Sequence, residues 1–154
     1  MKINLYKATL NDAEIIEQMQ KEAFASLLEK YQDMDTNPAN EPIEKIKYRL
    51  SQPFTYFYLI KLENQNVGAI RVADKRDDTP KRISPLFVLP AFRNKGIAQA
   101  AIKCVEEIHG TQNWSLDTIL QEKGNCHLYE KMGYHTTGKT MSINERLTLV
   151  FYEK

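Results

Sequence analysis

Val88-Leu89-Pro90-Ala91-Phe92-Arg93-Asn94-Lys95-Gly96-Ile97-Ala98-Gln99 stands between an apolar, strand-like run and the most regular helical segment of the chain. The run before it, Ile83-Ser84-Pro85-Leu86-Phe87, carries a proline where a central ladder needs an amide donor, which points to an edge strand or to a bulge. After it, Ile97, Ala101, Val105 and Ile108, flanked by Ala98 and Ile102, make one apolar helix face that Gly110 closes. A strand therefore feeds a short basic turn that opens a helix. The first amides of any helix lack an acceptor within it, and the aligned peptide dipoles place partial positive charge at that end, so this turn suits a phosphate. Gly96 leaves the approach clear, Arg93 and Lys95 add charge, and Ala98 keeps the next contact small. Taken alone, the same residues also fit a solvated basic loop in front of an ordinary helix.

Outward from this stretch the elements alternate in type. Ile3 to Ala8 reads as a first strand, and Thr9-Leu10-Asn11-Asp12 supplies capping chemistry for a helix with Ile15, Ile16, Met19, Ala23, Phe24 and Leu27 at helical spacing. Residues 31–40 look like a loop, and Ile43, Ile46, Lys47 and Leu50 predict a second helix that ends before Pro53. Two strands, Phe54 to Leu62 and Val67 to Ala73, are joined by a polar turn at Glu63 to Asn66. Beyond the central helix come a strand at Trp114 to Leu120, a short helix at Asn125 to Met132 stopped by Gly133, and closing strands at Tyr134 to Thr140 and Leu147 to Glu153. This order predicts an α/β domain built on a mixed sheet and spanning residues 1–154.

Composition narrows the function classes. With 154 residues, 42% of them hydrophobic, the chain can bury a sizeable core, so intrinsic disorder is excluded as a description of the whole. Twenty-one Lys and Arg balance 20 Asp and Glu, which argues against a nucleic-acid partner, although Lys75, Arg76, Lys81 and Arg82 form a local basic run. The beginning of the chain lacks a long uncharged apolar core and no window approaches a membrane span, so the expectation is a cytoplasmic protein with reduced thiols and no membrane partner. Cys126-His127, with His109 and His135 isolated, does not reproduce a zinc spacing, and no metal is expected. The dinucleotide G-x-G-x-x-G and the P-loop G-x-x-x-x-G-K-[ST] are both absent. A homodimer is the default among soluble oligomers.

The spacing V-x-P-x-x-R-x-x-G-x-A of Val88 to Ala98, after the strand at Ile83 to Phe87, closely resembles the acetyl-coenzyme A signature of the GNAT-type N-acetyltransferase superfamily. Leu128-Tyr129-Glu130-Lys131-Met132-Gly133-Tyr134 resembles the L-Y-x-K-x-G-F/Y segment that closes the core of that family, while residues 1–52 match it only in pattern. The resemblance implies a mixed, mostly antiparallel sheet of six to seven strands flanked by about four helices, with a splayed central strand pair. It implies that the amides of Asn94, Lys95, Gly96, Ile97, Ala98 and Gln99, beside Arg93, hold the pyrophosphate. Pantetheine would lie along Leu86, Phe87 and Val88 as an added strand. A bulge at Pro85 would splay the central pair and free an amide for the thioester carbonyl.

Tyr129 matches the general-acid position of the family: a phenol within reach of the sulfur can protonate or stabilise the departing thiolate. The competing reading is a core tyrosine on a short helix. Where many relatives have asparagine and alanine, this chain has Glu122 and Asn125. Asn125 either contacts pantetheine from a shifted place or caps the short helix. An alkyl ammonium has to lose a proton before it attacks, and Glu122, Asp117, Asp33, Asp35 and Tyr31 are the candidate bases. Direct transfer in a ternary complex is implied, with Cys104 and Cys126 as helix residues rather than acyl carriers. The expected reaction moves an acetyl group from acetyl-CoA to a primary amine of a small molecule or peptide. An acidic rim at Tyr31, Asp33, Asp35, Glu41 and Glu44 would favour a cationic amine. The alternatives are a non-catalytic CoA-binding sensor and an enzyme directed at protein or RNA.

Overall fold

The computed structural model describes residues 2–154. Strand β1 (Ile3–Lys7) leads into a 3-10 turn at Leu10–Asp12, where the Asp12 carboxylate accepts the Thr9 amide at 2.8 Å and opens α1 (Ala13–Tyr31). A left-handed Gln32, φ 54°, ends that helix. After a second 3-10 turn at Pro38–Asn40 come α2 (Ile43–Ser51), β2 (Thr55–Leu62) and β3 (Gln65–Ala73). The hairpin between these strands turns on Glu63 and Asn64 alone, both at positive φ, which is tighter than the four-residue turn expected. Its left-handed pair matches the natural twist of two antiparallel strands. The remaining elements are β4 (Lys81–Val88), α3 (Ile97–His109), β5 (Trp114–Ile119), α4 (Lys123–Lys131), β6 (His135–Ser142) and β7 (Thr148–Glu153). No described helix is long and apolar enough to cross a membrane.

The seven strands form one sheet in the order β1-β2-β3-β4-β5-β7-β6, antiparallel throughout except for β4 and β5. Successive side chains of a strand point to opposite faces, and β2 shows the consequence. Tyr58 and Ile60 join a core with α3 residues Ile97, Ala101, Ile102 and Val105, whereas Phe57 and Leu59 join a second core with Ile16, Met19 and Ala23 of α1 and Ile46 of α2. The sheet is thus covered on both sides, which is why its middle strands read as continuous apolar runs.

The central pair is splayed. Between β4 and β5 only Lys81 pairs with Trp114 and Arg82 with Ser115. Just beyond, the β3–β4 register slips: Val72 faces Ile83 and Ile70 faces Leu86, so Arg71 alone opposes Ser84 and Pro85. Pro85 therefore sits in a bulge of a central strand. The edge-strand alternative falls, because β4 is the fourth of seven strands. An extra residue on one strand bends it and sharpens its twist, and here the bend carries β4 away from β5.

Opposite the far end of β4, Gly68 faces Val88. A Cβ at Gly68 would overlap the Phe87 carbonyl oxygen and stand 3.1 Å from Val88 Cα. Both are backbone atoms, so β3 and β4 would have to separate. Gly68→Ala is expected to destabilise the fold by about 1–3 kcal/mol in urea denaturation, against the usual gain from restricting the unfolded chain.

Candidate functional site

The bulge decides which way the β4 backbone faces. The Leu89 amide donates to the Val67 carbonyl at 2.8 Å. Hydrogen-bonded pairs alternate along an antiparallel ladder, so Phe87, opposite Ala69, bonds on the same side. Leu86 and Val88 consequently turn their N–H and C=O groups away from β3 and toward the space that β5 has left. The Phe87 ring packs on the other side, edge-on to Phe24 of α1 at 5.6 Å. The Leu86, Phe87 and Val88 segment thus offers the Leu86 N–H and C=O and the Val88 N–H to the gap, the Val88 carbonyl being held by Arg93.

At the end of this strand the chain crosses the 3-10 turn Pro90–Phe92 and enters the turn before α3. Asn94 and Gly96 both have positive φ, 63° and 78°. A Cβ placed on Gly96 would meet nothing within 4 Å, so the amides around it open outward. The first bond of α3 runs from the Ala100 amide to the Gly96 carbonyl at 3.0 Å, leaving the earlier amides, through Gln99, without an acceptor inside the helix. Asn94, Lys95 and Gly96 are exposed, Ala98 and Gln99 are half-buried, and the Ile97 side chain is sunk in the core. The turn accordingly presents backbone donors and one mobile cation, Lys95, whose ammonium lies 5.8 Å from the Phe92 ring.

Arg93 has a structural task in addition to the charge read in the sequence. Its Nε donates to the Val88 carbonyl at 3.0 Å and its Nη2 to the Ala23 carbonyl at 2.5 Å. The side chain fastens the turn to β4 and to α1, and only the remainder of its charge faces a ligand.

Tyr129 projects from α4 into the core beside Tyr134 and Tyr152, with ring centroids 6.0 and 6.2 Å away. Among the buried tyrosines its hydroxyl is exceptional. Tyr31 donates to Glu122 at 2.5 Å, Tyr134 to Glu106 at 3.0 Å and Tyr152 to Glu130 at 2.7 Å, and Tyr58 bonds His109 at 2.8 Å. The Tyr129 hydroxyl has no partner among the described residues. Tyrosine hydroxyls in packed surroundings normally find a protein partner, so this one is a donor left free for solvent or a ligand. Burial first, then the negative charges of Asp117 and Cys126, push its pKa far above the ordinary tyrosine value, which keeps the proton on the oxygen.

Glu122 caps α4 at its backbone and binds α1 with its side chain: Oε2 accepts from Tyr31 at 2.5 Å and from Lys30 at 2.8 Å. The Lys30 hydrogen bond first, then that from Tyr31, hold its carboxyl below the usual glutamate range. The helix begins at Lys123, two residues earlier than predicted, so Asn125 lies within its first turn, exposed, and the capping role falls away. The other proposed bases are also engaged in part. Asp117 pairs with Arg82 at 2.5 Å, and Asp33 accepts the Thr36 amide at 3.0 Å and the Thr36 hydroxyl. Cys104 and Cys126 are free thiols on α3 and α4. Among the described residues no three His, Cys, Asp or Glu side chains converge as a metal site would require.

Sequence reasoning passed over Arg71, which stands inside the apolar run Val67 to Ala73 yet is only 8% exposed. A charged residue amid such a run was the available signal.

A family model described as "Acetyltransferase (GNAT) family" matches residues 16–134. The N-acetylaspartate synthetase of Danio rerio is 29% identical over 96 residues, 60% of this chain and 34% of that protein, so the chain spans about a third of that relative. The PaiA N-acetyltransferase of Thermoplasma acidophilum, solved with coenzyme A, superposes with a TM-score of 0.74 at 15% identity over 100% of both chains. The spermidine N-acetyltransferase of Vibrio cholerae, solved with CoA and spermine, gives 0.76 at 13% identity over 97% of this chain and 93% of that one. The two structures share the fold, and the family match covers most of the chain together with the turn, the splayed strand and Tyr129: this chain belongs to the GNAT acetyltransferase family.

Proposed function

We propose that this enzyme transfers the acetyl group of acetyl-CoA to a primary amine of a small molecule or peptide by direct attack, with Tyr129 as the sulfur-side donor. The observation that carries the reading is the Tyr129 hydroxyl, which no protein group occupies, on a side chain in the same core as Val88 and Leu86, the strand residues that turn peptide groups away from β3. The residues present fit the donor. Unpaired amides from Asn94 to Gln99 suit the pyrophosphate, and the open side of Gly96 leaves room for it. The backbone of Leu86 and Val88 suits the amide-bearing arm, which adds to β4 as a strand would. Bound there, acetyl-CoA supplies an activated acyl group and a thiolate leaving group.

The chain holds the thioester carbonyl toward the freed peptide groups of β4 and holds the Tyr129 proton toward the sulfur. A thiol ionises near pH 8.5, far below the raised phenol, so Tyr129 stabilises the leaving sulfur by hydrogen bonding more than by complete proton transfer. Glu122 anchors α4 to α1 and, with its depressed pKa, is a poor base for an ammonium.

Local charge bears on the acceptor. The Glu41 carboxylate of the expected acidic rim is taken by Arg49 at 3.0 Å, Lys45 at 3.2 Å and Gln20 at 3.1 Å. Its attraction for a cationic amine is therefore largely cancelled within the fold. The basic run that favoured RNA is likewise occupied: Lys75 lies over Phe54, Arg76 bonds Tyr56, Lys81 bonds the Gln112 carbonyl and Arg82 bonds Asp117. The acceptor class here is a small amine or the amine of a peptide.

Thiol release with an amine panel tests the reaction, and Tyr129→Phe is expected to lower kcat more than tenfold while calorimetry finds coenzyme A affinity little changed; unaltered turnover would return Tyr129 to packing. Gly96→Val puts a branched side chain at positive φ over the turn amides, and its coenzyme A Kd is expected to rise at least tenfold in the same calorimetry. A glutamate with a depressed folded pKa stabilises above its ordinary range, and the benefit disappears as pH falls through the lowered value. Glu122→Gln is therefore expected to be less stable than the parent chain at neutral pH and to match it well below the usual glutamate range, as read by denaturant unfolding at the two pH values.

A further inference from the structure

Resting on the acetyltransferase reading above, we propose that the acceptor amine carries a carboxylate a few bonds from its nitrogen, and that Arg71 binds that carboxylate.

Arg71 is the residue that the β4 bulge faces, on the side of the sheet covered by α1 and α2. Its Nη1 donates to the Ser84 carbonyl at 2.9 Å, and its Nη2 to the Gln52 amide oxygen and the Thr55 hydroxyl, each at 3.2 Å. Its Nε is buried without a partner. All three partners are neutral, two of them at long distance, and among the described residues no carboxylate forms an ion pair with Arg71. Buried cations are ordinarily paired, because an uncompensated charge out of water is costly. Here the opposite sign is missing.

The neighbours deepen the deficit. Arg49 and Arg82 lie near enough that, after burial, their repulsion is the next cause lowering the Arg71 pKa to about 10, with only Glu41 acting in the other direction. Each of those two arginines already holds a carboxylate, Glu41 and Asp117 respectively. Arg71 is left as a cation with an unused Nε donor and only neutral partners in a positive field, a setting that favours an anion, for which the long Gln52 and Thr55 bonds would give way.

Its position suits the chemistry. Ser84, bonded to Nη1, lies two residues before Leu86, whose peptide groups face the gap, so the guanidinium and the gap adjoin the same short stretch of β4. An amine at the gap and a carboxylate at Arg71 are then separated by the span of a small aminocarboxylate. A free amino acid and the acidic first residue of a peptide share this chemistry.

The experiment is a thiol-release assay with acetyl-CoA on matched pairs: aspartate, glutamate, glycine and β-alanine against their carboxamides, with spermidine and an Asp-initiated peptide added. The expected result is a kcat/KM at least tenfold higher for the best carboxylate than for its carboxamide, lying mainly in KM. In Arg71→Lys and Arg71→Met that ratio falls toward one. Preference for aspartate or glutamate over the peptide identifies a free amino acid as the source, and the reverse identifies a peptide. The proposal is overturned if carboxamides or spermidine equal the best carboxylate, or if the variants lose both members of a pair equally, as a packing defect would. Arg71→Lys keeps the charge and gives the ratio where Arg71→Met does not fold. Coenzyme A binding without thiol release from any amine would overturn the acetyltransferase reading itself, whereas brisk release from amines lacking a carboxylate would overturn only this inference.

Discussion

One extra residue in β4 sets the rest of the molecule. Because Ser84 and Pro85 together oppose Arg71, β4 leaves its parallel neighbour after two paired residues, and a strand in the middle of the sheet behaves locally as an edge. Exposed edges invite pairing with another chain and are normally blunted. Here the edge lies between helical layers, so what it accepts has to be narrow, extended and able to form amide hydrogen bonds. The same strand delivers its end to the turn before α3, and α4 brings Tyr129 to the gap from β5. A single departure from regular pairing thus sets the strand that runs into the turn before α3 and packs in one core with Tyr129.

A gap in a sheet forfeits ladder bonds, and long-range contacts hold its walls in place. Arg93 bonds the Val88 carbonyl on one side and the Ala23 carbonyl on the other, so the turn before α3 is tied to α1. Glu122 gathers Lys30 and Tyr31, and the Tyr31 carbonyl accepts the Asn144 side chain at 3.0 Å, which joins the end of α1, the start of α4 and the β6–β7 connection. Gly68 lets β3 approach the Phe87 carbonyl, where any side chain would force the strands apart. Apart from Arg93 to Val88, each contact links segments distant in sequence, and so they brace the site without appearing in any local pattern.

That distinction explains what was legible. The turn and α3 could be read because their logic is local: a glycine at positive φ, an apolar face of period 3.6 and a closing glycine all lie within one stretch. Pro85 announced an irregularity, but edge or bulge depends on which strands lie alongside, and that is settled by β3 and β5. The start of α4 was misplaced because Asn125 has the chemistry of a cap, whereas Glu122 takes the position through partners 91 and 92 residues away. The anchoring task of Arg93 was hidden for the same reason: one of its acceptors, the Ala23 carbonyl, is 70 residues distant. Arg71 vanished into an apolar run, since burial of a cation is a property of the packed sheet and not of the strand that carries it.

The proton inventory of the proposed transfer bears on why Tyr129 is buried. Over one turnover the attacking ammonium gives up two protons, one before it attacks and one as the amide forms, while the departing sulfur gains one and the other leaves to solvent. The site therefore needs a donor at the sulfur that is still protonated when charge arrives there. An exposed phenol would be hydrogen-bonded to water and would have to break those bonds first. Tyr129, packed against two other rings and 8% exposed, has no protein group on its hydroxyl, so a ligand has only residual solvent to displace there. Burial makes it a reluctant acid, and the low local polarity responsible also strengthens any hydrogen bond it makes to a developing thiolate. The other buried tyrosines show the contrast: each has its hydroxyl committed to Glu106, Glu122, Glu130 or His109, and each is thereby unable to donate to a ligand.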